Sequence, residues 1–154
     1  RWDLRPSPRF GTLEMRICDG ASNIAEVSAF AALIHCLVEH FSTMLDDGKE
    51  LPRLQPWFAQ ENKWRSARYG MDAIVITDAA GNEELVTDSV EKLLVELEPT
   101  AERLRCRTEL DGVRTILRKG ASYQRQRAVA RRNNGELDAV VGSLVAEMRA
   151  GRPL

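Results

Sequence analysis

The sequence is poor in the residues that staple small domains or build metal sites. Three cysteines occur, Cys18, Cys36 and Cys106, too few and too scattered for a disulfide framework or a zinc site. Each is bracketed by residues of a regular element, so they read as buried free thiols, which points to a reducing, cytoplasmic setting. The two histidines, His35 and His40, fall five positions apart on one helix and so on different faces, whereas helical neighbours stand at i, i+3 or i, i+4. No apolar run approaches the roughly 20 residues a membrane span needs. The most apolar window, 30–38, already contains His35 and is followed by Glu39 and His40. The opening Arg1-Trp2-Asp3-Leu4-Arg5-Pro6 has no apolar h-region of the kind a secretory signal needs. A membrane is therefore not among the expected partners.

What is present is ordinary globular material. With 154 residues, 44% hydrophobic and 29% charged, the chain has enough for one core and too little for two. Net charge is −1, but it is unevenly spread. Residues 1–102 carry 10 basic against 18 acidic residues, and residues 103–132 carry 10 basic against 2 acidic. Such asymmetry marks either a site for an anionic partner or two faces that neutralise one another in the fold.

Along the chain, strands come first and helices follow. Residues 2–5 read as a strand ended by Pro6 and Pro8. In 12–18, Leu13, Met15 and Ile17 alternate with Thr12, Glu14 and Arg16, which predicts a second strand with two distinct faces. Asn23 and Glu26 have capping-box spacing and open a helix to about Leu45. Ile24, Val27, Ala31, Ile34, Val38, Phe41 and Leu45 lie on one seam, and Phe30, Leu33, Leu37 and Met44 widen it, so the helix is expected to be mostly buried. A second helix is expected over 60–69, closed by Gly70. Residues 73–77 and 84–87 flank a Gly-containing loop and predict a β-hairpin. A helix from Thr87 or Asp88 follows, kinked or restarted at Pro99. Helices over 110–118, 122–133 and 136–149 finish the chain, the last burying Leu137, Val140, Val141, Leu144, Val145 and Met148. The expectation is an α+β fold: a few antiparallel strands packed with mostly helical structure. Because the chain opens inside a strand, and a lone two-stranded hairpin is not independently stable, the first strands are expected to pair with residues outside this sequence.

The strand around Glu14 is the best place for chemistry. At ~3.3 Å of rise per residue, Glu14 and Arg16 project from one face about 6.5 Å apart. A carboxylate there can hold Mg²⁺, and a guanidinium can clamp a phosphoryl or carboxylate group. A Glu and an Arg alternating on the solvated side of a strand is also commonplace. Glu61, Arg65 and Arg68 lie at i, i+4 and i+7 on one helical face, either as surface pairing or as residues that reach a substrate carboxylate or brace the nearby loop.

Two segments carry a resemblance. Residues Trp2-Asp3-Leu4-Arg5-Pro6 with Gly11-Thr12-Leu13-Glu14-Met15-Arg16-Ile17-Cys18-Asp19, and Glu61-Asn62-Lys63-Trp64-Arg65 with Arg68-Tyr69-Gly70-Met71-Asp72-Ala73, are similar to motifs of the carboxylate–amine ligases of the second glutamate–cysteine ligase type. Gly120-Ala121-Ser122 with Gln124-Arg125-Gln126 is a looser third match, and Ser7 stands where many members have a histidine. The resemblance implies that residues 1–154 are the C-terminal portion of a single catalytic domain with a glutamine-synthetase-like fold. It implies ATP and Mg²⁺ as cofactors, Glu14 as a metal ligand and Arg16 as the catalytic contact to the transferring phosphoryl. Arg5, Arg65 and Arg68 become nucleotide- or substrate-binding candidates. The implied reaction joins the γ-carboxylate of glutamate to an amine such as cysteine through an acyl-phosphate. The implied partners are these small molecules, the remainder of the domain and further copies of the chain. The competing class is a non-catalytic helical module that binds nucleic acid or a nucleotide through 103–132. Against nucleic acid, Tyr123 is the one aromatic in that run, and stacking platforms need more.

Overall fold

The computed structural model describes residues 3–154. Two small antiparallel sheets precede and interrupt a set of helices, so the α+β class expected from sequence is the one found. Strands β1 (Leu4–Ser7) and β2 (Thr12–Met15) form the first hairpin, with Arg5 opposite Glu14 and Pro6 opposite Leu13. Both are shifted or shorter than the sequence predicts, and Trp2 lies outside the described residues. The strand runs through Pro6 because of register. The Arg16 N–H donates to the Asp3 carbonyl at 2.8 Å, so hydrogen-bonded pairs fall at positions 3, 5 and 7 of β1. Pro6 then occupies a non-hydrogen-bonded pair, where its missing N–H costs nothing. Ladder pairing stops at Met15, and Ile17 and Cys18 extend past it, both exposed. Cys18 is thus not the buried thiol expected.

Helix α1 (Ile24–Asp46) begins where the sequence predicts. The Asn23 side chain accepts from the Glu26 N–H at 3.0 Å, a direct N-cap. Its buried stripe, however, is Ala29, Ala32 and Cys36, backed by Phe30, Leu33 and Leu37. Of the expected seam, Ile34 and Phe41 are half-buried, while Val27, Ala31 and Leu45 face outward with Ile24, 65% exposed, and Val38, 52%. The helix is apolar around most of its circumference, so periodicity alone could not choose the face. Small residues chose it. A Cβ on Gly112 would lie 2.9 Å from that of Ala29, and this close approach seats α4 (Arg107–Lys119) on the Ala29 stripe.

Helix α2 (Pro56–Tyr69) starts four residues before the expected position, with Pro56 in the first turn, where a missing N–H is harmless. One 3₁₀ turn (Gly70–Asp72) leads into β3 (Ile74–Ile76), paired with β4 (Glu83–Leu85). Helix α3 (Val86–Arg103) starts directly after β4 without a side-chain cap, and it continues through Pro99. Leu94 and Leu97 from α3 and Leu110, Val113 and Ile116 from α4 complete the core with α1. Helices α5 (Ser122–Arg132) and α6 (Leu137–Ala150) pack on one another.

Helix α6 keeps only part of its expected pattern: Val140 is buried and Leu144 half-buried, but the rest faces outward. Leu137 is 74% and Met148 70% exposed, whereas Glu147 is 3% exposed. An ion network explains this. Arg125 donates to Glu147 at 2.7 and 2.8 Å and lies 2.8 Å from a Glu26 carboxylate oxygen, while Ser22 donates to Glu147 at 2.8 Å. Glu147, with both oxygens hydrogen-bonded, can be buried where an apolar side chain would otherwise go. The cluster pins α5 and α6 to the start of α1, helped by the Ala25 N–H donating to the Gly151 carbonyl at 3.0 Å.

The α1 helix is, by length and composition, long and apolar enough to cross a membrane. In this fold it packs on α3 and α4, and its Glu26, Glu39 and His40 face Arg125, Arg103 and Glu96 respectively.

Candidate functional site

Strand alternation puts Asp3, Arg5, Glu14 and Arg16 on one face of the first hairpin. Register brings Arg5 directly across from Glu14, and its guanidinium lies 2.5 Å from a Glu14 oxygen, with Arg16 Nε 4.0 Å from the other. Glu14 is therefore a carboxylate between two arginines. Asp3 is turned to α2, where both of its oxygens accept from Lys63 at 2.6 and 2.7 Å. That exposed pair links the segment before β1 to α2.

Between them lies a cavity of about 1080 Å³. Arg16, Ile17 and Asp19 line its hairpin side, Asn62, Ser66 and Arg68 its α2 side, and Tyr123 and Arg127 reach it from α5. Of the predicted site residues, Arg16 and Arg68 meet here, at the junction of the two sequence motifs. Arg5 and Glu14 pair on the hairpin face beside it.

Arg65 goes elsewhere. It donates to Glu61 at 2.9 Å, to Glu83 at 2.7 Å and to the Ile74 carbonyl at 3.2 Å. These bonds, that to Glu83 foremost, hold its proton more firmly than usual. Asn62 braces the same hairpin: its amide donates to the Ile76 carbonyl and accepts from the Ile76 N–H, both at 2.7 Å. It thereby satisfies an edge of β3 that no strand covers. The second motif thus mainly clamps α2 to β3–β4, with Lys63 tying it to β1 and Arg68 directed to the cavity.

The third motif is also structural. The Gln124 side chain accepts from the Ala121 N–H at 2.9 Å, Gln126 donates to Ser122 at 3.0 Å, and Arg125 is the buried cation described above. Burial would raise the Glu147 carboxyl, but the hydrogen bonds from Arg125 and Ser22 outweigh it and hold it below the usual range. Elsewhere in the basic run, Arg103 pairs with Glu39, Arg107 with Glu102, and Arg114 with Glu91, Glu98 and Asp111. Four of the ten cations of 103–132 are thus paired with carboxylates among the described residues.

Sequence reasoning missed Tyr123 and Arg127. Their i, i+4 spacing places both on one face of α5, a signal hidden when the run is counted as a block. The Tyr123 hydroxyl accepts from the Met71 N–H at 2.9 Å, and the Arg127 guanidinium lies over its ring, 5.2 Å from the centroid.

The donor set limits metal binding. Among the described residues no group of three or more His, Cys, Asp or Glu side chains could hold a metal. Mg²⁺ bound with substrate phosphates needs only one or two protein carboxylates; Glu14, paired with Arg5 in this structure, would have to exchange that guanidinium for the ion to serve as one. Cys36 and Cys106 have their sulfurs 3.6 Å apart, and burial, then the Cys106 contact, pushes the Cys36 thiol up to about 12.

The model of the glutamate–cysteine ligase family 2 matches residues 1–143. A protein of Clavibacter michiganensis subsp. michiganensis, provisionally named glutamate–cysteine ligase 2, is 56% identical over 151 residues, covering 98% of this chain and 39% of its own length. A protein of Arthrobacter sp. strain FB24, provisionally named glutamate–cysteine ligase 2-1, is 56% identical over 151 residues with the same coverage. A Mycobacterium tuberculosis protein, provisionally named glutamate–cysteine ligase 2, is 56% identical over 148 residues, 96% of this chain and 39% of its own. The chain spans 39% of the length of these relatives. With the family model covering nearly all of it, the chain belongs to the glutamate–cysteine ligase family 2.

Proposed function

We propose that this chain supplies one wall of the active site of an ATP-dependent ligase that joins the γ-carboxylate of glutamate to an amine. The observation that carries the reading is the cavity at the junction of the two motifs, where Arg16 and Arg68 face a common space. In the proposed reaction the γ-phosphoryl of ATP passes to the glutamate carboxylate. The amine nitrogen then attacks the acyl carbon, and phosphate leaves with the bonding pair. Phosphoryl transfer asks little covalent work of a protein and much charge neutralisation. Arg16 is proposed to hold the equatorial oxygens of the moving group in a bidentate grip. Arg5 sits one strand away, where it both neutralises Glu14 and stands ready for nucleotide phosphate. Arg68 is proposed to take a substrate carboxylate. Arg65 acts through the β3–β4 hairpin it braces rather than on substrate.

Mg²⁺, held in part by Glu14, would neutralise phosphate charge when bound. The exposed apolar side chains of α1 and of the first hairpin, among them Leu13 and Val38, support association with the remainder of a larger catalytic domain or with further copies. Free thiols at Cys36 and Cys106 support a reducing, cytoplasmic setting.

The test is turnover in the intact protein. Glu14→Ala is expected to abolish Mg²⁺-dependent ADP formation with the fold retained, and Arg16→Lys to lower the rate sharply, because an ammonium cannot reproduce the planar fork. Near-normal rates in both variants would sink the assignment.

A further inference from the structure

We propose that Arg127, carried on Tyr123, is an additional oxyanion-binding residue of the cavity, taking either a substrate carboxylate or a phosphoryl group. Gly70 has a φ of +58°, and a Cβ there would lie 2.4 Å from the Tyr123 hydroxyl oxygen. Only glycine lets the end of α2 come this close. The next residue, Met71, donates its N–H to that hydroxyl at 2.9 Å, so the phenol is held by backbone at its polar end. Arg127 then lies over the ring, 5.2 Å from the centroid, a stacking that orders the guanidinium while leaving its N–H edges free.

Contrast within α5 shows that this placement is selective. Arg125, two positions earlier, is committed to Glu26 and Glu147. Arg127 has no carboxylate in ion-pair range among the described residues, and it lines the cavity with Arg16 and Arg68. Arg68 is likewise without a carboxylate, its guanidinium lying 5.9 Å from the Tyr69 ring centroid. Arg16 has only the distant edge of Glu14 at 4.0 Å. Arg16 just past β2, Arg68 of α2 and Arg127 of α5 face one space; Lys63 neutralises Asp3 there, and Asp19 is the other carboxylate of the lining, so cations are in excess. An anionic ligand offsets that excess, and an uncharged one does not.

The inference deepens the ligase reading, and it rests on that reading only for the identity of the anion. Calorimetric titration of the intact protein with glutamate, with ATP and with inorganic phosphate tests it, using wild type, Arg127→Met and Arg127→Lys. Arg127→Met is expected to weaken one of these ligands by about tenfold to a hundredfold, with the melting temperature unchanged because the side chain is exposed. Arg127→Lys should recover only part of that loss. A loss confined to glutamate identifies a carboxylate contact, and a loss confined to ATP and phosphate identifies a phosphoryl contact. If all ligands bind the variants as they bind wild type, or if wild type binds none, the proposal is overturned. Arg127-dependent binding in a protein that forms no amide would instead retain this inference and overturn the ligase reading.

Discussion

Replacing Arg125 by methionine removes the one cation among two buried carboxylates. Arg125 has 9% of its side chain exposed, and Glu26 and Glu147 each 4%, so water cannot take its place. Truncating one partner of a buried pair costs about 3–5 kcal/mol, because a charge is left without compensation. The Gly120 carbonyl loses its donor as well. On a domain of this size that corresponds to a fall of roughly 6–20 °C in melting temperature. Acid distinguishes this mechanism from simple loss of packing. In the wild type the Glu147 carboxyl is held below its ordinary 4.5. Its contribution is therefore complete above that value and is lost as pH falls through the depressed folded value. Without Arg125 the balance reverses: burial raises the folded value above 4.5, and protonation now favours the folded state. The gap between variant and wild type should be widest near neutrality and shrink toward about pH 4. Urea unfolding of the intact protein followed at several pH values measures it. A gap below about 1 kcal/mol at neutral pH, or one that does not change with pH, would refute the reasoning.

Other perturbations separate the clamps from the cavity. Asn62→Ala leaves the Ile76 N–H and carbonyl without partners at a sheet edge and should cost about 1–3 kcal/mol, seen as faster amide exchange at Ile76; unchanged exchange would contradict the bridge. Gly70→Ala combines a backbone at φ +58° and ψ −125°, which only glycine adopts readily, with a collision against Tyr123, so it should destabilise by more than the roughly 1–3 kcal/mol of the backbone alone and weaken ligand binding as Arg127→Met does. Cys18 is exposed while Cys36 is buried. A thiol reagent at neutral pH should therefore modify Cys18 first and leave Cys36 unmodified until unfolding, and early labelling of Cys36 would show that the α1–α4 core opens.

Much of this arrangement was legible in the residues, and the failures have physical causes. Asn23 announced the start of α1 because capping is local. The return bond expected of Glu26 did not form, since Arg125, remote in sequence, takes its carboxylate into the ion cluster. For the same reason Glu147 displaced Met148 from the buried face of α6. In α1 a nearly all-round apolar surface left the choice of core face to the Ala29–Gly112 contact, which no period reveals. At the site, alternation placed Glu14 and Arg16 together, but the pairing of Arg5 with Glu14 depends on hairpin register. Arg127 depends on a tertiary contact with the Gly70 turn.

The central claim is that the cavity serves amide formation driven by ATP. Its most direct test is ADP release by the intact protein with Mg²⁺, glutamate and a panel of amines that includes cysteine. The account predicts release that requires both glutamate and an amine, matches amide formed one for one, and collapses in Arg16→Lys. No amine-dependent release with any member of the panel, or release indifferent to Arg16, would contradict it.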